Sequence, residues 1–290
     1  MYIYRYISYE DFTRIVYLKK DRAARPTTWK DSYEGYLFKY MDNEETIKKL
    51  ISEIYWNVSP RNYIETIRTC FKLWHSKAWA YGLCWTMQEE SELMWRANAY
   101  NGHAIRIKAS VEDVREIIKN NFDSEYFGLN DKEVEYDLEN SSDEMLKRQI
   151  DKLHINLAVT EPYFHKTNYY FSEYEYRFII QDNRYYQVED ISCNGALQNI
   201  NDAIGKCKDH EEKIDEITKR VLKFMCNWDE KRRESNIFFD IPENYLKKYI
   251  QSVIVHPDAE KWYVDLIKEI CCNKKINFEG KSVLYDKIVV

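Results

Sequence analysis

Short stretches in which hydrophobic and polar residues alternate predict a series of β-strands along the chain. The clearest runs from 174 to 181, where Tyr174, Tyr176 and Phe178 alternate with other residues, most of them polar or charged. Residues two apart in a strand share a face, so one side of this strand suits a core and the other suits solvent or a cleft. Similar stretches predict strands at 1–7, 78–87, 103–109, 134–137, 238–240, 250–255 and 277–285.

Hydrophobic residues spaced three and four apart predict helices between these strands. Asp31 and Glu34, for example, fit a capping box that opens a helix ending at Met41. The predicted helices cover 9–19, 33–41, 44–55, 60–74, 91–100, 111–120, 142–159, 199–228 and 257–271. Interleaved helices and strands, without a repeat or a clear boundary, predict one α+β domain over 1–290 with a helical insertion near 196–235.

The composition is that of a folded soluble protein, and it argues against two functional classes. Of the 290 residues, 32% are charged and 44% are hydrophobic, while only 7 are glycine and 5 are proline. So few glycines argue against a glycine-rich phosphate loop. The formal net charge of −6 argues against a general nucleic-acid coat, because affinity for phosphate backbones comes mainly from clustered cations.

Cysteine usage and hydropathy indicate a reducing compartment. The seven cysteines are an odd number, without the spacing of a disulfide framework or a zinc ribbon. The histidines also lack metal-ligand spacing, so no metal is predicted. No segment reaches the roughly 18 apolar residues of a membrane span, and the N-terminus lacks a signal-peptide pattern. We therefore expect a cytoplasmic protein that does not enter a membrane.

The segment 173–177 is the strongest candidate for a functional site. In a continuous strand, Glu173, Glu175 and Arg177 line one face, opposite Tyr174 and Tyr176. Under one interpretation this face is a solvent-exposed ion ladder, in which Arg177 offsets the repulsion between the glutamates. Under the other the glutamates are a catalytic pair. One then stabilises positive charge on a sugar carbon, and the other takes a proton from an incoming nucleophile.

Arg5 and Trp95 are further candidates, each with two open interpretations. Arg5 lies among apolar neighbours on the first strand, so we expect it to be partly buried. An unpaired buried guanidinium is costly, and its partner is then either Glu175 or a bound phosphate. Trp95 lies on a short predicted helix, where it either packs in the core or forms a ring wall for a nucleobase or nicotinamide.

Several short motifs, in order along the chain, resemble one known family. They are Ile3–Tyr4–Arg5–Tyr6, Pro26–Thr27–Thr28–Trp29–Lys30–Asp31–Ser32–Tyr33–Glu34, Cys84–Trp85–Thr86, Leu93–Met94–Trp95, Gly102–His103–Ala104–Ile105–Arg106–Ile107, Glu173–Tyr174–Glu175–Tyr176–Arg177 and Val253–Ile254–Val255–His256–Pro257–Asp258–Ala259. The set is similar to the bacterial and phage-encoded family catalogued as domain of unknown function 2971, whose relatives occur near abortive-infection and other phage-defence genes. The match spans nearly the whole chain, apart from 196–235.

A more distant resemblance is to ADP-ribosyltransferases of the arginine–serine–glutamate type. Those enzymes share a split β-sheet, in which an arginine on the first strand holds the phosphates of NAD and a Glu-x-Glu pair performs the transfer. The resemblance implies a small mixed or split sheet surrounded by helices, with Arg5 and the adjacent Tyr4 at the NAD. It also implies that Glu175 binds the nicotinamide ribose and stabilises an oxocarbenium-like transition state, while Glu173 helps to activate the acceptor.

The chain departs from the transferase pattern in its middle motif. No Ser-x-Ser-type triplet is present, and Thr86 is the residue nearest to its place. Arg177 is not a general feature of the transferases. Together with Trp95, these two residues complete the set that we expect around the nucleotide.

The leading hypothesis is an intracellular phage-defence or toxin-type enzyme that uses NAD as a substrate. It transfers ADP-ribose to a protein or nucleic-acid acceptor or cleaves the nicotinamide bond, with a phage protein as a candidate trigger. One alternative is a non-enzymatic sensor or antitoxin-like protein that recognises a phage or toxin protein. The other is an enzyme that processes nucleotides or RNA ends. A pocket shared by Arg5 and Glu175 favours the first hypothesis, and an exposed aromatic patch away from Glu175 favours the second. A deep cleft with several converging arginines instead of a carboxylate pair favours the third.

Overall fold

The computed structural model describes residues 1–29, 35–41, 43–57, 62–98, 102–138, 142–152, 159–184, 200–226 and 234–285. The strands are β1 (Tyr2–Ile7), β2 (Lys20–Ala24), β3 (Ala80–Thr86), β4 (Ile105–Ser110), β5 (Phe127–Glu133), β6 (Glu135–Leu138), β7 (His165–Thr167), β8 (Glu175–Asp182), β9 (Asn236–Asp240), β10 (Ser252–Val255) and β11 (Asn277–Lys281). The α-helices are α1 (Tyr9–Thr13), α2 (Glu44–Asn57), α3 (Tyr63–Trp79), α4 (Glu92–Asn98), α5 (Val111–Asn121), α6 (Ser142–Lys152), α7 (Ile200–Gly205), α8 (His210–Cys226), α9 (Leu246–Tyr249) and α10 (Lys261–Lys274).

Nine of these strands form one mixed sheet that forks at β3. The order is β11-β10-β4-β1-β3-β2-β9, and β8 also pairs with β3, while β5 pairs with β8. Since a strand has only two hydrogen-bonding edges, β1 and β2 share one edge of β3. Each does so through a single residue pair, Tyr4 with Thr86 and Ala24 with Gly82. The chain is therefore an α+β protein with a mixed multi-stranded sheet, and its likeness to the ADP-ribosyltransferase fold stays a prediction.

One face of the sheet is apolar apart from the buried pair Arg5 and Asp21, and it is covered by α1, α5, α9 and α10. Ile3 of β1, Phe178 of β8 and Val253 of β10 are fully buried in this core. The covering helices contribute side chains at helical spacing, which explains why these segments fold onto the sheet. In α5 the buried residues are Val111, Val114, Ile117 and Ile118.

The opposite face of β3 and β8 carries a helical layer with its own core. Leu50 of α2, Leu73 of α3, Leu146 of α6 and Ile217 of α8 pack in the same cluster as Ile179 of β8. Helix α8 lies within 196–235, so the helical character predicted there is confirmed for α7 and α8. Because α8 packs on α2 and α3, it belongs to the same layer; its status as an insertion stays a prediction.

The alternation pattern missed three strands: β2 and β5, which pair within the large sheet, and β7, which pairs with β6. Predicted helix 9–19 ends early: α1 stops at Thr13, a π-helix follows over Arg14–Leu18, and the polar segment 20–24 is β2. Strand β5 contains Gly128, Asn130 and Asp131, residues that are rare in strands, yet it pairs with β8 over seven residues. In β2 and β5, hydrogen bonds to the partner strand stabilise an extended conformation that the local residues do not favour by themselves.

The predicted helix at 33–41 is corrected in its described part. Residues Tyr36–Met41 form a 3₁₀ helix, and its predicted capping pair, Asp31 and Glu34, lies outside the described residues. Its buried side chains, such as Leu37 and Phe38, belong to the core of the helical layer. None of the described helices has both the length and the apolar run needed to cross a bilayer.

Gly82 of β3 provides a test of the contact between Trp29 and the sheet. A Cβ at Gly82 would lie 2.3 Å from Cζ2 of Trp29, so Gly82→Ala forces the indole out of its position. We expect a loss of about 1–3 kcal/mol in the free energy of unfolding, as for other overpacked sites. The measurement is the urea unfolding midpoint.

Gly128→Ala is the matched control, because it adds the same methyl group to a strand where the nearest atom is 3.7 Å away. Its free energy of unfolding should stay within about 0.5 kcal/mol of that of the wild type. Equal stability of the two variants would contradict the position of Trp29 over β3.

Candidate active-site cleft

A cleft of about 410 Å³ opens where β1 separates from β3. This volume lies within the range of about 300–1,000 Å³ that is usual for ligand pockets. Four of the seven predicted site residues line the cleft, namely Tyr4, Arg5, Thr86 and Glu175. The predicted residues Glu173, Trp95 and Arg177 do not. Asp11 and Cys84, which the sequence did not single out as site residues, are also in its wall.

The register of the sheet explains how residues so distant in sequence meet. Tyr4 of β1 pairs with Thr86 of β3, and Thr86 pairs with Glu175 of β8. Directly paired residues project from the same face, so these three side chains form one row across the sheet. The cleft therefore begins at the only point where β1 and β3 are paired in the described structure.

Glu175 is the buried carboxylate of the site. Its Oε2 accepts a hydrogen bond from Nε of Arg177 at 3.0 Å and a second from the terminal nitrogen Nη2, and Nζ of Lys166 lies 3.6 Å away. Burial by itself raises the pKa of Glu175, but the charges of Arg177 and Lys166 outweigh it and hold that pKa below its ordinary value. No described residue donates a hydrogen bond to Oε1, so its lone pairs are available to a ligand.

Arg177 is the structural partner of Glu175. Its side chain is fully buried, and Nη1 donates to the carbonyl oxygen of Tyr163 at 2.6 Å. The guanidinium also lies over the ring of Trp29, 4.7 Å from its centroid. Arg177 is thus enclosed by protein groups, and the structure supports the interpretation in which it neutralises Glu175. The expected contact between Arg177 and a nucleotide stays a prediction.

Glu173 does not belong to the strand, so the predicted face of three charges is wrong. It ends a 3₁₀ helix over Asn168–Glu173, and the next residue, Tyr174, has a left-handed backbone with φ of +45°. This turn breaks the alternation before β8 begins at Glu175. As a result Tyr174 is exposed, whereas Tyr176 packs in the core as predicted.

Lys166 reconnects the two glutamates by a route that the sequence did not indicate. Its Nζ donates to Oε2 of Glu173 at 2.7 Å and lies 4.5 Å from the ring centroid of Tyr170. Lys166 lies on β7, which pairs with β6 in a separate two-stranded sheet. From β6 the hydroxyl of Tyr136 accepts a hydrogen bond from the backbone N–H of Glu175 at 2.8 Å. A short polar strand such as β7 has no pattern that would have revealed this role.

Arg5 is paired with Asp21, which neither open interpretation foresaw. Asp21 of β2 is fully buried, contacts Arg5 through Oδ2, and accepts a hydrogen bond from the hydroxyl of Tyr249 at 2.6 Å. Arg14 lies 3.5 Å from its other oxygen. Burial lowers the pKa of Arg5, but Asp21, Tyr249 and Asp11 together outweigh it, so the pKa is raised and Arg5 stays charged.

Thr86 and Trp95 have structural contacts that fix their positions. The hydroxyl of Thr86 donates to the carbonyl oxygen of Glu173 at 2.6 Å and accepts from the N–H of Gln88 at 3.1 Å, so it braces the segment before β8. Trp95 is fully buried, with its indole N–H donated to Glu90 at 3.0 Å and its ring edge-on to Tyr6. These contacts fit the interpretation in which Trp95 packs in the core, and the ring wall for a ligand stays a prediction.

Tyr4 is held from the other side by a buried arginine. The guanidinium of Arg106 on β4 lies 5.0 Å from the ring centroid of Tyr4 and pairs with Glu90 at 2.9 Å. Burial, together with nearby Glu89, raises the pKa of the Tyr4 hydroxyl. Tyr4 is therefore a neutral side chain of fixed orientation at the edge of the cleft.

Beside β7, the carboxylates around His165 form a group that could hold a cation. Candidate ligand atoms of Glu135, Asp137 and His165 lie within 4.8 Å of one another, although the histidine spacing predicted no metal. Both ring nitrogens of His165 already contact carboxylates, Asp137 at 2.7 Å and Glu161 at 3.1 Å. Burial raises the pKa of Glu161, but His165 and Lys132 together lower it to about 2. These contacts are those of a compensated ion cluster.

No protein-family model, curated protein or solved structure matches this chain. The resemblances to domain of unknown function 2971 and to the ADP-ribosyltransferases stay predictions. The candidate site is therefore defined by its geometry: a row of three side chains across β1, β3 and β8, and Arg5, which projects from the opposite face of β1 but also lines the cleft where β1 and β3 separate.

Removing Arg5 should destabilise the protein, because it leaves the buried carboxylate of Asp21 with Tyr249 and the more distant Arg14. We expect Arg5→Ala to lose about 3–5 kcal/mol, as when one partner of a buried ion pair is deleted. Guanidinium-induced unfolding measures the loss. The control is Arg22→Ala, which removes a half-exposed arginine that lies 3.7 Å from Asp11; its free energy of unfolding should stay within about 0.5 kcal/mol of the wild type. An unchanged midpoint for Arg5→Ala would contradict the buried pair.

The stability contribution of Glu175 should depend on pH. Its pKa is lowered by folding, so this contribution is present above the unfolded pKa of about 4.3 and is lost as the pH falls through the folded pKa. Glu175→Gln leaves the buried guanidinium of Arg177 without its carboxylate, while Lys166 keeps Glu173, and we expect a loss of about 3–5 kcal/mol at pH 7. At pH 3 the difference in free energy of unfolding between the variant and the wild type should be smaller.

Urea unfolding at both pH values measures this difference, with the exposed Glu133→Gln as a control of equal charge change. A difference in unfolding free energy between Glu175→Gln and the wild type that stays constant from pH 7 to pH 3 would contradict the lowered pKa of Glu175 in the folded protein.

Proposed function

We propose that this protein is an enzyme that binds NAD or a related nucleotide in the cleft between β1 and β3 and breaks the bond between nicotinamide and ribose. The observation that carries the proposal is the meeting of Tyr4, Arg5, Thr86 and Glu175 in one cavity of about 410 Å³. An arginine and a carboxylate in one cavity match the two ends of such a substrate, its phosphates and its reacting sugar.

Glu175 is suited to stabilise positive charge. When the nicotinamide leaves with the bonding electron pair, the ribose carbon becomes an oxocarbenium-like cation, and a nearby carboxylate lowers the energy of that state. Arg177 and Lys166 keep Glu175 ionised in spite of its burial, and both contact Oε2. Oε1 is then the atom that faces the ribose.

Arg5 is suited to the phosphates as part of a small cationic network. Arg5 and Arg14 contact Asp21, while Arg14 and Arg22 contact Asp11 at 2.5 Å and 3.7 Å. Three guanidinium groups thus face two carboxylates, which leaves one positive charge in excess. A guanidinium has five N–H donors, so Arg5 can hold Asp21 and still donate to a phosphate oxygen.

Glu173 and the aromatic residues before it are suited to the acceptor. The carboxylate of Glu173 is partly exposed and shares Lys166 with Glu175. Tyr169, Phe171 and Tyr174 expose 78%, 52% and 43% of their surface beside it. This patch adjoins the carboxylates, so it fits an acceptor protein or nucleic acid better than a separate sensor surface. The setting in phage defence or toxin action rests on the family resemblance alone.

The test combines the wild type with a variant that fills the cleft without touching its charges. Wild-type protein should bind NAD in calorimetry and release nicotinamide, alone or with cell or phage lysate as the source of acceptor. Ala97 of α4 is exposed and lines the cleft, so Ala97→Trp should reduce binding and release at least tenfold without loss of stability.

Glu92→Trp places the same ring on the same helix outside the cleft and should leave binding and release unchanged. A wild-type protein that neither binds NAD nor cleaves it under these conditions rules the proposal out. Equal activity of Ala97→Trp and Glu92→Trp would show that NAD does not bind in the cleft and would contradict the proposal.

A further inference from the structure

A second, smaller cavity of about 200 Å³ lies between the turn that joins β1 to α1 and the beginning of α10. Four rings and one carboxylate line it, those of Tyr9, His103, Trp262, Tyr263 and Glu10. We refer to these five residues as the aromatic cage. The cavity is smaller than the roughly 300 Å³ at which pockets for drug-sized ligands begin, so it suits a compact group.

Two rings of the aromatic cage stand at steep angles to Tyr263, and the third, His103, is nearly parallel to it. Trp262 meets Tyr263 at a centroid distance of 5.7 Å and 74°, and Tyr9 meets it at 6.1 Å and 65°. His103 stacks on Tyr263 at 4.6 Å. The hydroxyl of Tyr263 donates to the carbonyl oxygen of His103 at 2.6 Å, which fixes the two relative to each other. The result is a corner of inclined ring faces, with Trp262 exposed at its rim.

The charges at this corner favour a cation. In the described part of the chain, the carboxylate of Glu10 has no ion-pair partner, and no lysine or arginine lies over any of the four rings. At the rim, Glu260 accepts the indole N–H of Trp262, which adds negative charge next to that ring. Aromatic faces carry negative potential and attract cations within about 6 Å of the centroid.

We propose that the aromatic cage binds a small quaternary ammonium cation, of the choline or tetramethylammonium type. A primary ammonium is strongly hydrated and needs several acceptors, whereas a methylated nitrogen has no N–H to satisfy and loses little on leaving water. Two side-chain oxygen acceptors at the cavity belong to Ser8 and Glu10. Ser8 already accepts a hydrogen bond from the N–H of Asp11 at 3.2 Å, so the carboxylate of Glu10 is the group that can meet a cation. Ring faces and one carboxylate match the methylated cation.

This inference does not rest on the proposed reaction with NAD. The aromatic cage and the cleft are separate cavities, although Ser8 lines both. Failure of NAD binding therefore leaves the cage proposal standing, and the reverse also holds.

The experiment compares charged and neutral ligands of the same shape by calorimetry on the full-length protein. Choline and tetramethylammonium should bind, and 3,3-dimethyl-1-butanol, the uncharged isostere of choline, should bind at least tenfold more weakly. Glycine betaine, whose own carboxylate faces Glu10, should also bind more weakly than choline. Equal affinity for choline and its neutral isostere would overturn the proposal, as would the absence of binding by both cations.

Variants assign the binding to these residues. Trp262→Ala should weaken choline binding at least tenfold, Trp262→Phe should keep most of it, and Glu10→Gln should weaken choline without changing the isostere. Trp262 and Glu10 are exposed, so these changes should leave the thermal melting curve intact. Phe238→Ala, which removes an equally exposed ring from β9, should bind choline as the wild type does. Wild-type affinity in Trp262→Ala would contradict the assignment.

Discussion

Strand β3 has two hydrogen-bonding edges and three neighbouring strands, and the architecture of the candidate site depends on how that conflict is resolved. One edge is taken by β8 along seven residues, while β1 and β2 divide the other, meeting it at Thr86 and at Gly82. Cys84 and Trp85 lie between these two points and line the cleft. The cavity is thus a consequence of the fork in the sheet, and it is walled by backbone that the sheet itself holds in place.

Buried charge is the second constraint, because a guanidinium without a partner is costly inside a protein. Each of three arginines on central strands is paired with a carboxylate from another segment or its own strand: Arg5 with Asp21, Arg106 with Glu90, and Arg177 with Glu175. The first pair joins β1 to β2, and the second joins β4 to the segment before α4. The third links two residues of β8 that lie on the same face of that strand. They orient the row of Tyr4, Thr86 and Glu175 as well as balancing charge.

The same constraints give Glu175 two properties that rarely occur together, near-complete burial and an ionised state. Lys166 and Tyr136 reach it from the small β6–β7 sheet, so this peripheral pair of strands controls the electrostatics of the cleft. The turn at Ser8 then connects the cleft to the aromatic cage, and both cavities use the segment where β1 passes into α1.

Periodicity alone determined the α+β class, most helices, and the strands at β1, β3, β4 and β8, because their buried faces repeat at the period of the element. It also singled out Arg5 and Glu175, since charged residues within strands need a partner or a cleft. Only the tertiary structure decided that Asp21 pairs with Arg5, that Lys166 bridges Glu173 and Glu175, and that β2 and β5 are strands. Those outcomes depend on partners far away in the sequence, and local patterns carry no information about them.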